Sequence, residues 1–245
     1  NIDAVLFDGH LDLLGDQEKL IRAIAATEKP LVTVYIAGRP LNMNLASEVS
    51  DALLTAWYPG EQGGNGIVDV LTGEYNPSGR LPMSVPRHVG QIPVHYSQGT
   101  LRDYMDCPGK PLYTFGYGLS YTTFAYSNLR LSAETISDTD TLTATVTVKN
   151  TGSRTGKTVV QLYVGDPEST VFRPVRELKD FAKVELQPGE SRDVTFTLDK
   201  RAFAYWNEEI QDWHVESGEF TIEVGQSSRN MECSASVYVM STVKL

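Results

Sequence analysis

Thr141-Leu-Thr-Ala-Thr-Val-Thr-Val148 decides how the second half of the chain is read. It alternates without a break, so Leu142, Ala144, Val146 and Val148 share one face of a strand and the threonines share the other. Working outward, the same period of two predicts strands at Thr158 to Val164, Phe181 to Leu186, Asp193 to Leu198, Phe220 to Val224 and Ala235 to Met240. Turn-forming groups separate them: Asn150-Thr-Gly152, Gly165-Asp-Pro167, Gln187-Pro-Gly189 and Glu216-Ser-Gly218. Short strands at this spacing predict an all-β sandwich of the immunoglobulin-like or fibronectin type III-like kind.

Upstream the pattern changes. Ile2 to Phe7 and Leu31-Val-Thr-Val-Tyr-Ile-Ala37 are nearly continuous apolar runs with the length and β-branched content of strands covered on both faces. Between them Leu13, Leu14, Gln17, Leu20, Ile21, Ile24 and Ala25 fall largely at helical spacing, and Lys29-Pro30 closes that helix. A third strand is predicted over Ala52-Leu-Leu-Thr-Ala-Trp-Tyr58, and Ile67, Val68, Val70 and Leu71 predict a helix stopped by Gly73. Strands alternating with helices imply a mostly parallel α/β sheet. The fold class is therefore α/β plus all-β, with an α/β domain over 1–90, an ordered linker over 91–120 rich in Pro, Gly and Tyr, and a β-sandwich over 121–245.

Composition narrows the partners. The 245 residues carry 31 acidic and 21 basic side chains, a net charge of −10, which argues against nucleic acid and anionic membrane surfaces as partners. The longest apolar stretch, Leu31 to Ala37, is far below the roughly 20 residues of a membrane helix. Two cysteines, Cys107 and Cys233, make neither a disulfide scaffold nor a zinc site, and the scattered His10, His88, His95 and His214 support no metal. No cofactor is expected. Asn1 to Phe7 shows neither the basic start nor the apolar core of an export leader, and the missing initiator Met suggests that the true N-terminus lies elsewhere.

In open parallel sheets, ligands sit beyond the carboxyl ends of the strands, where Phe7-Asp8-Gly9, Gly38-Arg39-Pro40 and Pro59-Gly60-Glu61 fall. Gly60-Glu-Gln-Gly63-Gly64-Asn-Gly66 before a helix resembles a phosphate cradle in outline but lacks the Gly-Lys-Ser/Thr ending, so nucleotide binding is the weaker rival. Carboxylates are plentiful at Asp8, Asp12, Glu61, Asp103 and Asp106, and a glycosidase needs two of them about 5 to 10 Å apart. Sequence alone does not pair them.

Four motifs in order then carry a resemblance that spans essentially the whole chain: Lys29-Pro-Leu-Val-Thr-Val-Tyr-Ile-Ala-Gly-Arg-Pro-Leu41, Ala56-Trp-Tyr-Pro-Gly-Glu-Gln-Gly-Gly64, Gly79-Arg-Leu-Pro-Met-Ser-Val-Pro86 and Leu112-Tyr-Thr-Phe-Gly-Tyr-Gly-Leu-Ser-Tyr-Thr-Thr-Phe124. They resemble the C-terminal half of glycoside hydrolase family 3 β-glucosidases. Asn150 to Val164 and Arg176-Glu-Leu-Lys-Asp-Phe181 look like that family's fibronectin type III-like domain.

The resemblance implies a retaining β-glucosidase in which an N-terminal barrel carries the nucleophile, the α/β sandwich domain carries a Glu acid/base, and a β-glucoside or oligosaccharide is the substrate. It also implies a periplasmic or secreted location and is compatible with a homo-oligomer. This chain would be the part after the barrel, supplying one wall of the cleft and no catalytic residue of its own. Leu11-Asp-Leu-Leu-Gly-Asp-Gln17 matches the family's Leu-x-Leu-Pro-Gly-x-Gln segment with Leu14 in place of the proline, yet the Glu and the Asp-Arg pair that precede it are absent. Residues are therefore expected to be missing at the Gly9/His10 join and near Gly99/Leu101. Asp8 and Gly9 mark the broken acid/base loop, and Asp8, Arg39 and Arg102 are the candidate substrate-binding residues. Arg39 has the guanidinium to fix a loop carboxylate bidentately. Asp103 and Tyr104 join Arg102 as candidates for an outer subsite or a neighbouring subunit, and Trp57 and Tyr58 offer stacking faces at a strand end that also suits the core. A non-catalytic carbohydrate-binding or protein-interaction module is the alternative.

Overall fold

The computed structural model describes residues 10–98, 103 and 105–243, and these divide into two compact units. One holds the described residues up to Tyr75, Met83–His95 and those from Asp103 to Thr114; the other holds Asn76–Pro82, Tyr96 to Gln98 and Phe115 onward. The strand predicted over Ile2 to Phe7 lies outside the described residues.

The first unit is α/β. Helix α1 (Gln17–Ala25) ends where Glu28 takes a left-handed φ of 56° ahead of Pro30, whose ring restricts the residue before it to extended geometry. Strand β1 (Val32–Tyr35), helix α2 (Asn44–Val49) and strand β2 (Ala52–Thr55) form one crossover. The two strands pair in parallel with Val32 opposite Ala52 and Tyr35 opposite Thr55, as a helical connection allows. Asp51 fixes the register by accepting from the Leu31 N–H at 2.8 Å, and the Thr33 and Ser50 hydroxyls meet at 2.7 Å. Helix α3 (Gly63–Thr72) stops at Gly73, in the left-handed region at φ 81°, as its glycine predicts.

Two expectations for this unit need correction. The strand predicted to reach Tyr58 ends at Thr55, because Trp57 turns out of extended geometry with φ 52°. The sheet expected to be covered on both faces is, among the described residues, two-stranded and open: Val32 is 46% and Ile36 62% exposed, α1 buries no residue and α3 buries only Gly63.

The second unit is a two-sheet sandwich. Strands β3 (Phe124–Leu131), β4 (Thr135–Ser137), β5 (Leu142–Asn150), β6 (Gly156–Gly165), β7 (Glu177–Leu186) and β8 (Ser191–Leu198) come first. A short helix, α4 (Lys200–Phe203), leads to the hairpin β9 (Tyr205–Asn207) and β10 (Asp212–His214), then β11 (Gly218–Ser227) and β12 (Asn230–Met240). One sheet runs β3-β5-β8 and the other β4-β12-β11-β6-β7. Alternation in β5 does what it predicts: Leu142, Ala144, Val146 and Val148 are fully buried, while Thr145 and Thr147 on the outer face bond to Thr195 and Asp193 of β8. The facing sheet contributes Val160, Leu162, Phe220, Ile222 and Val224 to the same core.

The turn after β5 is organised by Asn150, itself buried. Its amide donates to the carbonyls of Arg154 and Leu186, and its oxygen accepts from Thr122 Oγ1 at 2.7 Å and the Gly152 N–H. Gly152 has no Cβ because one would stand on the Thr122 hydroxyl.

Candidate functional site

Within the α/β unit, the carboxyl end of β1 turns at Gly38 into the segment that carries Arg39 and Asn42. Gly38 is required there because a side chain would occupy the ring of Tyr58. Arg39 Nη2 donates to the His10 carbonyl at 3.1 Å, so this guanidinium ties down the main chain at His10. Asn42 strengthens the same tie: its N–H donates to the Leu11 carbonyl and its amide to Asp12 Oδ1 at 2.7 Å. Tyr35 donates to the Asn42 carbonyl at 3.3 Å, and burial, helped by Glu18 and Tyr113, raises its hydroxyl to about 12. It therefore remains a donor at any physiological pH.

The loop from Asn42 enters α2, and from there a cleft of about 630 Å³ opens within this unit. Asn44, Glu48, Arg87, His88, Asp106 and Cys107 are among its lining residues. Its geometry is set by Gln91, a buried side chain on the turn Val89–Gln91. Gln91 Oε1 accepts the Arg87 N–H at 2.6 Å, while Nε2 donates to the Pro108 and Gly109 carbonyls at 2.8 and 3.1 Å. Asn44 Nδ2 donates to the Arg87 carbonyl at 2.7 Å, so the Arg87 backbone is held on both sides. Ser47 on α2 meets the Tyr113 hydroxyl at 2.8 Å, and Tyr113 bridges Val85, two residues before Arg87. His88 accepts the Gly90 N–H on Nδ1, which leaves Nε2 to carry the ring proton when the ring is neutral.

The residues expected from sequence are distributed as follows. Asp8, Gly9, Arg102 and Tyr104 lie outside the described residues, as does the Gly99/Leu101 join. Asp103 is structural in its described contact, accepting the Gly109 N–H at 2.8 Å. Asp12 accepts from the Asn42 amide, and Asp106 lines the cleft that Glu48 also lines. Tyr58 is not a core residue: it is 67% exposed over Gly38, and Trp57 is half-buried. The glycines before α3 serve the chain itself, Gly60 for its φ of 71° and Gly63 because a Cβ would press on the Pro59 ring. Among the described residues no three His, Cys, Asp or Glu stand close enough to hold a metal ion, and no helix is long and apolar enough to cross a membrane.

Sequence reading missed Asn44, Glu48, Arg87 and His88. A signal existed in Asn42-x-Asn44, since paired Asn residues commonly organise a turn into a helix. Arg87-His88 lay beside a motif already singled out.

Comparison with known proteins bears on the same residues. Residues 6–121 match the glycosyl hydrolase family 3 C-terminal domain, and residues 158–228 match a fibronectin type III-like domain. A periplasmic beta-glucosidase of Salmonella typhimurium is 45% identical over 229 residues, covering 88% of this chain and 30% of the relative. The thermostable beta-glucosidase B of Acetivibrio thermocellus is 44% identical over 250 residues, covering 96% of this chain and 33% of the relative. Among solved structures, a β-glucosidase from Erythrobacter marinus superposes with a TM-score of 0.91 at 41% identity, over 95% of this chain and 31% of that one. The chain thus spans about a third of the length of the curated relatives it matches.

Proposed function

The chain belongs to glycoside hydrolase family 3, and from that premise we propose that it is the C-terminal portion of a retaining β-glucosidase that removes terminal β-D-glucosyl residues from glucosides or oligosaccharides. The observation that carries the reading is the tie between Arg39 and the His10 carbonyl, backed by Asn42 on Leu11 and Asp12. It anchors the segment from which the acid/base loop would spring, at the carboxyl end of a parallel strand where such sheets take ligands.

In the intact enzyme a carboxylate of the preceding barrel attacks the anomeric carbon, and a Glu from a loop of the α/β domain protonates the leaving oxygen, then activates water. The part of this chain is to hold that loop and wall the cleft; Asp8, Arg39 and Arg102 are its proposed substrate-side residues. The open faces of α1, α3 and β1 are proposed to pack on the earlier part of the α/β domain, with the barrel domain beyond it. A periplasmic or secreted location follows from the same kinship.

The test joins this chain to the N-terminal two thirds of the Salmonella relative and measures release of p-nitrophenol from p-nitrophenyl β-glucoside. Hydrolysis by the joined protein, none by the chain alone, and a lower kcat for Arg39→Ala are expected. Retention of the isolated chain on insoluble glucan, with no activity in a folded joined protein, would replace this reading with that of a non-catalytic binding module. Intact mass of the natural product under denaturing conditions adds an independent check, since a value of 27.1 kDa would mean that the chain exists without a barrel.

A further inference from the structure

Beyond α4, the buried residues Ala202, Phe203, Ala204 and Val215 root the β9–β10 hairpin in the sandwich. Asn207 and His214 fill its inner face, and the His214 ring stands nearly perpendicular to that of Tyr205 at 5.8 Å. Asn207 Oδ1 accepts the N–H groups of Glu209 at 2.9 Å and Ile210 at 3.3 Å, so a buried side chain orders the turn. The outer face carries Trp206 directly opposite Trp213, the rings meeting edge to face at 5.8 Å. Trp206 is nonetheless 50% exposed. An ordered hairpin that holds a large aromatic ring in water has what a binding anchor needs, because little conformational freedom is lost on association.

Trp213 shows what such a ring attracts. The Arg201 guanidinium lies over it, with Cζ 3.5 Å from the ring centroid. An indole face is electron-rich and a guanidinium is flat and weakly hydrated, so the two attract without a carboxylate between them. Among the described residues no cation lies over Trp206. The same hairpin bears Glu208, Glu209 and Asp212, all exposed and none in an ion pair among the described residues. The neighbouring ammonium groups are engaged, Lys200 at 4.0 Å from Asp138 and Lys179 at 3.3 Å from Glu177. The carboxylates of Glu208, Glu209 and Asp212 outweigh the one guanidinium of Arg201 and repel an anionic partner, a second copy of this chain with its net charge of −10 included. A neutral apolar partner would strip water from those carboxylates without pairing them. A cationic partner uses the open ring and the carboxylates together.

We propose that the Trp206 face of the β9–β10 hairpin is a docking surface for a basic polypeptide segment, whose arginine lies on Trp206 as Arg201 lies on Trp213 while Glu208, Glu209 and Asp212 draw its charge. Arginine is preferred over lysine there, because a planar guanidinium both stacks on an aromatic face and pairs with carboxylates. The surface belongs to the sandwich alone, so it stands whether or not the joined protein hydrolyses glucosides.

The Trp206 indole N–H resonance in ¹⁵N-correlated NMR spectra of the 245-residue chain reads the contact. The probes are a blocked peptide of alternating glycine and arginine, its lysine counterpart and a glycine-serine peptide of equal length. The arginine peptide should move the resonance saturably at low salt, the lysine peptide should bind more weakly, and the neutral peptide should leave the resonance in place. Added salt should weaken the arginine peptide. Trp206→Leu should weaken it about two- to fivefold, the worth of one surface cation–π contact, read from the Trp213 indole N–H. Trp206→Phe keeps an aromatic face and should lose less. Glu208→Gln combined with Glu209→Gln changes only exposed side chains, and should weaken binding and flatten its salt dependence. Unchanged resonances from the core strands in each variant show that the fold persists. No saturable shift with the arginine peptide, an equal shift with the neutral peptide, or undiminished binding by Trp206→Leu would overturn the docking surface. So would a Trp206 resonance that answers cellohexaose and not the arginine peptide, which would make the ring a sugar platform instead.

Discussion

The sandwich and the α/β unit draw on the same apolar residues and treat them differently. In the sandwich, β5 buries Leu142, Ala144, Val146 and Val148 completely against the opposite sheet, where Phe220 and Ile222 are equally closed off. In the α/β unit, Leu20 on α1 is 60% exposed, Val68 on α3 54% and Val32 on β1 46%. Two facing antiparallel sheets each cover one face of the other, so the sandwich is satisfied by its own strands. A parallel sheet has two faces to cover, and two strands with three helices do not cover them. The sandwich thus closes its apolar faces with its own strands, while the described residues of the α/β unit leave apolar side chains on display.

The largest effect that can break this contrast is a core truncation. Phe220 is fully buried and meets Phe203 edge to face at 5.3 Å. Phe220→Ala should cost roughly 3 to 5 kcal/mol through lost burial and the cavity left behind. Leu20→Ala on exposed α1 should change stability by no more than about 0.5 kcal/mol. Urea unfolding followed by tryptophan fluorescence reads the α/β unit through Trp57, in a Trp206→Phe and Trp213→Phe background, and the sandwich through Trp206 and Trp213, in a Trp57→Phe background. Equal losses for the two variants would mean that α1 is covered in solution and that the contrast is false.

A second variant asks whether the sandwich depends on apolar contacts alone. Arg173 is 6% exposed and donates to Asp166 at 3.1 Å, Glu177 at 2.6 Å and the Phe203 carbonyl at 2.7 Å. Arg173 pulls both acids down, yet their net shifts are opposite. Burial raises Asp166 above its ordinary value against the pull of Arg173, whereas at Glu177 burial is outweighed by hydrogen bonds and charge from Arg173 and Lys179, which lower it. Arg173→Ala strands a buried carboxyl and should cost about 3 kcal/mol in the same unfolding measurement. A loss near zero would assign the sandwich's stability to its apolar core alone.

Legibility from sequence follows the same division. The alternation of Thr141 to Val148 was readable because one face is buried without exception, and the flanking strands of the sandwich followed from it. β3 was missed because Asn128, at φ 53°, breaks its alternation and the pairing register shifts between Ser127 and Arg130. β9 and β10 are three residues each, too short for periodicity to register. In the α/β unit, α1, β1 and α3 were legible from helical spacing, Pro30 and Gly73, but α2 was not, since its six residues bury only Ala46. Of the site, Arg39 was legible as a strand-end residue. Arg87, Glu48 and Asp106 were not, because nothing in their spacing reveals that Gln91 draws Arg87 and the Pro108-Gly109 main chain together.

The smallest expected effect sharpens the comparison by giving the sandwich its own pH signature. Glu216 accepts from both the hydroxyl and the N–H of Thr170, the latter at 2.9 Å. Burial pushes its carboxyl up, but these bonds and the nearby His214 outweigh that push and hold it below the ordinary 4.5. A carboxyl depressed in the folded state binds its proton more readily when unfolded. Its contribution is therefore complete above the unfolded value and is lost as pH falls through the folded one. Glu216→Gln should lower the urea stability of the sandwich by about 1 kcal/mol near neutrality. The gap to the parent should then close between about pH 5 and pH 3 as Glu216 protonates in the parent. Other acids of the sandwich, Glu177 among them, also sit low, so the informative quantity is the difference between parent and variant rather than either curve. A gap that stays constant across this range would mean that Glu216 contributes through packing of its side chain and not through its charge.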